Sequence, residues 1–357
     1  MKTKKLLVVL MVFSVLMSIF ISCGGSSTSE VGEVKEAPKK VIKWKLQSWA
    51  SAGDVTYEAA VELARMIEEA TDGRLIISTY NAGAIIPAGK EFDAVISGTV
   101  EAVHGAPAWT LGYFPGAIFY NNTVGGLTSN QQRMWLEYEG LELARKNYKP
   151  LGVHYVGRLT PHNAEVFLMS NKPLDSVKDL KGLKIRMGSA ALNEIFARMG
   201  AAPVFLPGGE VYEATQRGII DGFEYVTPSV NWGMGFQEVA EYMYLSPSRA
   251  PTDDQALFVN QEVWDKLPKD LQIIVTNATF AIAEQYYVKE VVRDAEALIN
   301  FEEYGTKIRK VPADIEALLS KTADAYYAEL AASDPAYKEI YDSVIAWKKI
   351  CNQFNIQ

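Results

Sequence analysis

From Val41 onward the chain alternates short runs of period-two hydrophobicity with longer runs of helical period, and that alternation restricts it to an α/β fold. Val41 to Gln47 alternates apolar and polar residues as a half-buried strand does. Thr56 to Thr71 then gathers Ala60, Leu63, Ala64 and Ile67 on one helical face and Glu58, Glu62 and Arg65 on the other, with Gly73 placed as a C-terminal cap. Leu75 to Ser78 reads as a strand, Gly89 to Ser97 as a helix and Val100 to His104 as a strand. The rhythm predicts a largely parallel sheet.

A second series follows the helical stretch Ser129 to Tyr148. Strands are expected at Val153 to Val156, Val166 to Met169, Leu183 to Met187, Val204 to Leu206 and Ile219 to Phe223, with helices at Ala190 to Met199 and Gly209 to Arg217. At 357 residues the chain has room for two such units, and a ligand cleft is expected between them. Leu271 to Glu303 contains no Pro or Gly and is long enough to run from one unit to the other; Ala313 to Phe354 reads as two helices broken near Asp334-Pro335. The expected divisions are 41–160 with 252–290 as domain I, and 161–251 with 291–357, including the C-terminal helices, as domain II.

The N-terminus reads differently. Lys2, Lys4 and Lys5 precede an apolar run from Leu6 to Ile21, the pattern of a signal peptide over 1–22. Phe20-Ile21-Ser22-Cys23 resembles the lipobox of bacterial lipoproteins, which makes Cys23 the acylated residue. Residues 23–40, rich in Gly, Ser, Glu and Lys, have little to bury and read as a flexible tether. The chain is therefore expected outside the cytoplasm, periplasmic or on the cell surface, held to the membrane only by its lipid.

A net charge of −8 argues against a nucleic-acid partner, and two cysteines with three histidines exclude a disulfide scaffold, a Cys-rich zinc site and an Fe–S cluster. No G-x-S-x-G elbow, P-loop or H-E-x-x-H occurs, and Gly233-Met234-Gly235 lacks the third glycine of a dinucleotide fingerprint. His104, His154 and His162 are dispersed without ligand spacing and read as packed or surface residues. Asn121-Asn122-Thr123 is a glycosylation sequon in form only in a bacterial lipoprotein. Trp135, Trp264 and Trp347 fall on expected helices as packing residues.

The stretch from Asp179 to Tyr225 carries the most chemistry. Leu183, Ile185 and Met187 share one strand face; Lys184 and Arg186 point the other way, and Arg186 stands at the C-terminal end, where open α/β sheets bind ligands. Gly188-Ser189 then opens a helix that Ser189 can cap. An Arg there can grip a carboxylate through paired hydrogen bonds or simply pair with a neighbouring acid, and spacing does not choose between the two.

These residues resemble the DctP-type solute-binding proteins of tripartite ATP-independent periplasmic (TRAP) transporters. The resemblance rests on D-L-K-G-L-K-I-R at Asp179 to Arg186, the G-A-x-P turn at Gly200 to Pro203, G-E-V-Y at Gly209 to Tyr212 and D-G-x-E at Asp221 to Glu224. A weaker likeness extends from Trp44 to Leu319 and includes Gly83 to Pro87 and Phe92 to Gly98. It implies an α/β, two-domain periplasmic-binding-protein-like fold with a hinge and a long interdomain helix, and it makes Arg186 the residue that binds the substrate carboxylate.

The Pro207 to Glu210 turn, Tyr225 after Glu224, and Gly83 to Pro87 resemble the branch that binds 2-oxo and 2-hydroxy monocarboxylates such as lactate or pyruvate. In that branch the substrate also chelates a metal ion, and the resemblance places the ligands at Glu165, Glu224 and the Tyr225 carbonyl. Glu165 stands where Gln is expected. Two carboxylates and an anionic ligand suit a hard divalent ion, Ca2+, with Na+ as the alternative. Glu165 could instead pair with Arg186 or another cation. Asn163 or Arg158 is expected as a further polar contact, and Trp49, Trp109 and Tyr80 as cleft aromatics.

The sequence thus reads as a receptor that closes over a small organic acid and delivers it to a TRAP permease, with no organic cofactor and no enzymatic step. A sensor feeding a signalling receptor, and an exported metal-dependent enzyme acting on small organic acids, are the alternatives. The C-terminal helix is a candidate for homodimerisation.

Overall fold

The computed structural model describes residues 40–356; the signal peptide read at 1–22, Cys23 and all of the tether but Lys40 lie outside the described residues. Strands β1 (Ile42–Ser48), β2 (Leu75–Tyr80), β3 (Ala102–Gly105), β4 (Val153–His162), β5 (Val166–Ser170), β6 (Lys184–Arg186), β7 (Ala202–Val204), β8 (Gly222–Phe223), β9 (Tyr242–Leu245), β10 (Asp253–Asn260) and β11 (Lys307–Lys310) form two sheets. The first has the order β2-β1-β3-β10-β4 and the second β11-β9-β5-β8-β6-β7. Helices cover both, giving a two-domain α/β fold.

Each sheet is parallel but for one strand, as the largely parallel expectation requires, with β10 the exception in the first and β5 in the second. β1 runs parallel to β2 and β3, but β10 is antiparallel to β3 and β4. In the second sheet β6 is parallel to β7 and β8, whereas β5 is antiparallel to β8 and β9. The reason lies in connectivity. β5 and β10 begin where the chain has just crossed between sheets, at 163–165 and 246–252, so they run away from the junction. Strands such as β4, β6 and β9 end at it.

The Lys269–Tyr304 helix spans 36 residues, about 54 Å at 1.5 Å per residue. Its first half places Leu271, Val275, Ile282 and Tyr286 in the core beneath the first sheet with Trp44 and Leu63. Near its end Phe301 packs with Phe223, Phe236 and Met243 of the second. Gly305, at φ +107°, ends it in the left-handed conformation that glycine favours. Asp334 caps the last helix, Pro335–Phe354, accepting from Ala336 N at 2.8 Å and Tyr337 N at 3.1 Å. That helix packs on Pro115–Tyr120, with Tyr337 and Phe119 rings 5.1 Å apart, while Ala313–Ser333 packs on Ala190–Arg198. The terminal helices therefore strap both sheets rather than the second alone. Among the described residues no helix is long and apolar enough to cross a membrane.

Candidate functional site

A cleft of about 920 Å³ opens where the strand ends of the two sheets face each other. Arg186 at the end of β6, Glu224 and Tyr225 just beyond β8, Glu165 at the β4–β5 crossing and Asp253 at the start of β10 line it, with Trp49 and Trp109 from the first sheet's loops.

Arg186 is nearly buried and held on two sides. Its Nε donates to Leu206 O at 3.1 Å; its Nη1 donates to Glu224 O at 2.7 Å and Glu224 Oε1 at 3.2 Å. The guanidinium lies 5.4 Å from the centre of the Tyr225 ring. Its Nη2 has no protein partner among the described residues. Two glycines allow this packing. The Gly188 N–H donates to Glu224 Oε1, and a Cβ at Gly188 would stand 2.8 Å from that oxygen; one at Gly208 would stand 2.7 Å from the Tyr225 hydroxyl. Ser189 caps the Ala190–Arg198 helix, accepting from Leu192 N at 3.3 Å.

Arg249, which sequence reasoning missed, is fully buried beneath these residues. Its Nη2 donates to Val166 O at 2.9 Å and contacts Glu165, and its Nη1 stands 3.3 Å from Glu224 Oε2. Glu165 thus pairs with Arg249, not Arg186. The only sequence signal was an arginine in a Pro247-Ser248-Arg249-Ala250-Pro251 crossing loop, where no period announces burial.

Asp253 continues the cluster, with Asn121 Nδ2 on one oxygen and Gln255 Nε2 donating to the other at 2.8 Å. Burial pushes the Glu165 carboxyl well above its usual range, against the pull of Arg249, and pushes Asp253 up to about 7. The neighbouring charges of Asp253 and Glu224 push Glu165 in the same direction as its burial does.

Arg158 and Asn163 do not belong to this site. Arg158 donates to Ser129 O at 3.0 Å and pairs with Glu284 at 3.2 Å and Asp254 at 3.7 Å, away from the cleft. Asn163 gives its backbone N–H to Glu290 at 3.0 Å. Both sit on the stretch leading to Glu165, but strand alternation and the turn of the crossing direct them elsewhere. Tyr80 also lies outside the cleft lining. Trp49 and Trp109 do line it, edge to face at 6.0 Å.

The histidines are packed. His104 bridges Ser48 Oγ at 3.0 Å and Thr160 Oγ1 at 2.9 Å, His154 stacks 4.1 Å from Trp264, and His162 pairs with Glu290. Trp135 and Trp264 are buried, and Trp347 donates to Gln131 O at 3.0 Å.

Does the donor set fit a cation? Both oxygens of Glu165 are buried without a well-directed hydrogen-bond donor, although Arg249 is in contact. Such orphaned carboxylate oxygens suit a hard ion. The oxygens of Glu224 are already engaged by Gly188, Arg186 and Arg249 but keep lone pairs. Among the described residues no group of three or more His, Cys, Asp or Glu side chains is arranged as a metal site. Any ion here therefore also draws on backbone or ligand oxygen.

A family model described as DctP, bacterial extracellular solute-binding protein, family 7, matches residues 46–334. A monocarboxylate 2-oxoacid-binding periplasmic protein of Nostoc sp. is 31% identical over 333 residues, 92% of this chain and 89% of the relative. A TRAP periplasmic solute-binding protein from Colwellia psychrerythraea, crystallised with calcium and pyruvate, aligns with TM-score 0.84 and 30% identity over 88% of this chain and 96% of its own. One from Pseudoalteromonas atlantica, with sodium and pyruvate, aligns with TM-score 0.84 and 29% identity over the same shares, 88% and 96%.

Proposed function

The chain belongs to the bacterial extracellular solute-binding proteins of family 7, and we propose that it captures a 2-oxo or 2-hydroxy monocarboxylate in the cleft and delivers it to a TRAP membrane permease. The observation that carries this reading is the free Nη2 of Arg186, the one nitrogen of its own guanidinium that no described residue engages. A carboxylate accepting from it meets a donor whose orientation is already set by Leu206 and Glu224, so little side-chain entropy remains to be lost.

Arg186 and Arg249 stand against the three carboxyls Glu165, Glu224 and Asp253, and burial raises Glu165 and Asp253 toward their neutral forms. A bound organic anion upsets that balance. Glu165, Glu224 and the Tyr225 carbonyl would hold a Ca2+ ion, with Na+ the alternative, and the cation would supply the missing positive charge and a seat for the 2-oxo or 2-hydroxyl oxygen.

Two lobes, dividing at the crossings 163–165 and 246–252, would close over the acid, and the closed form is what the permease would recognise. Lipidation at Cys23 would keep the protein at the membrane surface, and no reaction is assigned to the cleft. The outward Ile345, Ile350 and Phe354 of the last helix are the surface a homodimer would use, which sizing chromatography tests.

Calorimetric titration of the mature chain with pyruvate and lactate in Ca2+ tests the central reading. One-to-one binding without turnover supports it; conversion of the acid supports the enzyme instead, and failure of every 2-oxo and 2-hydroxy acid to bind overturns it.

A further inference from the structure

A three-carbon acid fills on the order of 100 Å³, the space of three or four waters, whereas the cleft measures about 920 Å³. Beside the charged residues the lining includes the small side chains of Ala108, Ala190 and Ala197 and the rings of Trp49, Trp109 and Phe205.

Phe205 is the telling residue. It is 59% exposed, yet its backbone is pinned on both sides: Met187 N donates to Val204 O at 3.0 Å, and Arg186 Nε donates to Leu206 O at 3.1 Å. The arginine that faces the carboxylate therefore also fixes the loop that presents this ring. Across the cleft Trp109 is 39% exposed and braced edge to face by Trp49. The two exposed rings come from opposite sheets, after β3 and after β7. Closure of the lobes would bring these rings toward each other and add apolar surface to the cleft.

We propose that the physiological ligand is a 2-oxo or 2-hydroxy acid with a bulky apolar side chain, branched aliphatic or aromatic, clasped between Trp109 and Phe205. The inference rests on the carboxylate reading of Arg186 and adds the class of side chain. Each methylene buried in such a chamber is worth roughly fourfold in affinity.

The test is calorimetry on the mature chain in Ca2+ with pyruvate, 4-methyl-2-oxopentanoate and phenylpyruvate, repeated on Phe205→Ala. The branched or the aromatic acid should bind at least tenfold more tightly than pyruvate, and Phe205→Ala should lower the affinity for that acid at least fivefold more than for pyruvate. Pyruvate binding as tightly as both larger acids, or equal losses for all three in the variant, overturns the proposal and leaves the carboxylate reading standing. If none of the three binds, both fall.

Discussion

Arg186 donates through Nη1 to the backbone carbonyl of Glu224 at 2.7 Å, so the strand end and the residue after β8 fix the guanidinium before any ligand arrives. Replacing it by Ala should weaken binding of the acid at least a hundredfold, about 3 kcal/mol. Lys should recover little, because an ammonium cannot hold Leu206 O and Glu224 O together and still offer a donor to the cleft. Calorimetry on both variants, with thermal melts to show that they fold, checks this. Near-native affinity in Arg186→Lys would mean that only charge is being used.

Glu165 controls the ion. Glu165→Gln removes one negative charge and restores the amide expected from the related branch. The tightening of acid binding by Ca2+ should then fall at least tenfold, and binding in Na+ should persist. In the unaltered chain a chelator in Na+-free buffer should weaken binding by a similar factor. Affinity that ignores both chelation and Glu165→Gln removes the metal from the account.

Arg249 is a stability residue as much as a site residue. Truncation to Ala would leave Glu165 and Glu224 buried around a lost cation, and breaking such a cluster costs about 3–5 kcal/mol. Urea denaturation should show that loss in the ligand-free protein. If stability is unchanged, the cluster is not the compensated network described above.

Which of these residues was legible in the sequence follows from how each is placed. The strand–helix series placed Arg186 at a strand end, but its role and that of Glu224 came from the family resemblance of the D-L-K-G-L-K-I-R and D-G-x-E motifs. Arg249 could not be read, since it sits in an aperiodic crossing loop and owes its burial to acids distant in sequence. The resemblance offered Arg158 or Asn163 as a further polar contact without a clear register upstream of Glu165; in space Arg158 is satisfied by Ser129, Asp254 and Glu284. β10 escaped notice because it opens Asp-Asp-Gln, polar residues buried through pairing across the cleft floor, and β11, Lys-Ile-Arg-Lys, because an edge strand carries charge.

Glu290 joins the long helix to both lobes: it accepts from Asn163 N at 3.0 Å and Thr227 Oγ1 at 3.1 Å and pairs with His162. Glu290→Ala should destabilise by about 3 kcal/mol or more, since it strands a buried histidine and two donors. Glu290→Gln keeps the size and alters the junction; it should change acid affinity several-fold although residue 290 lies outside the cleft lining. Calorimetry alongside urea denaturation separates the effects, and an unchanged affinity in a folded Glu290→Gln would deny the junction a part in closure.

His104 gives the pH dependence its clearest sign. Buried between Ser48 and Thr160, its imidazole is pushed from an ordinary 6.5 down to about 3 by burial, so the folded protein keeps it neutral where the unfolded chain would protonate it. Its contribution to stability is thus complete above pH 6.5 and is lost as pH falls toward 3, by about 1.4 kcal/mol per pH unit. Glu165, Asp253 and Asp294, all pushed upward by burial, act in the opposite sense, their contributions being present at low pH and lost as pH rises. The net profile mixes the two, but a substitution isolates one. In His104→Gln the slope of unfolding free energy between pH 4 and 6 should be lower than in the parent by up to one proton. Urea titrations at several pH values measure that slope, and identical slopes in the two proteins would show that His104 is protonated in the folded state as readily as in the unfolded one.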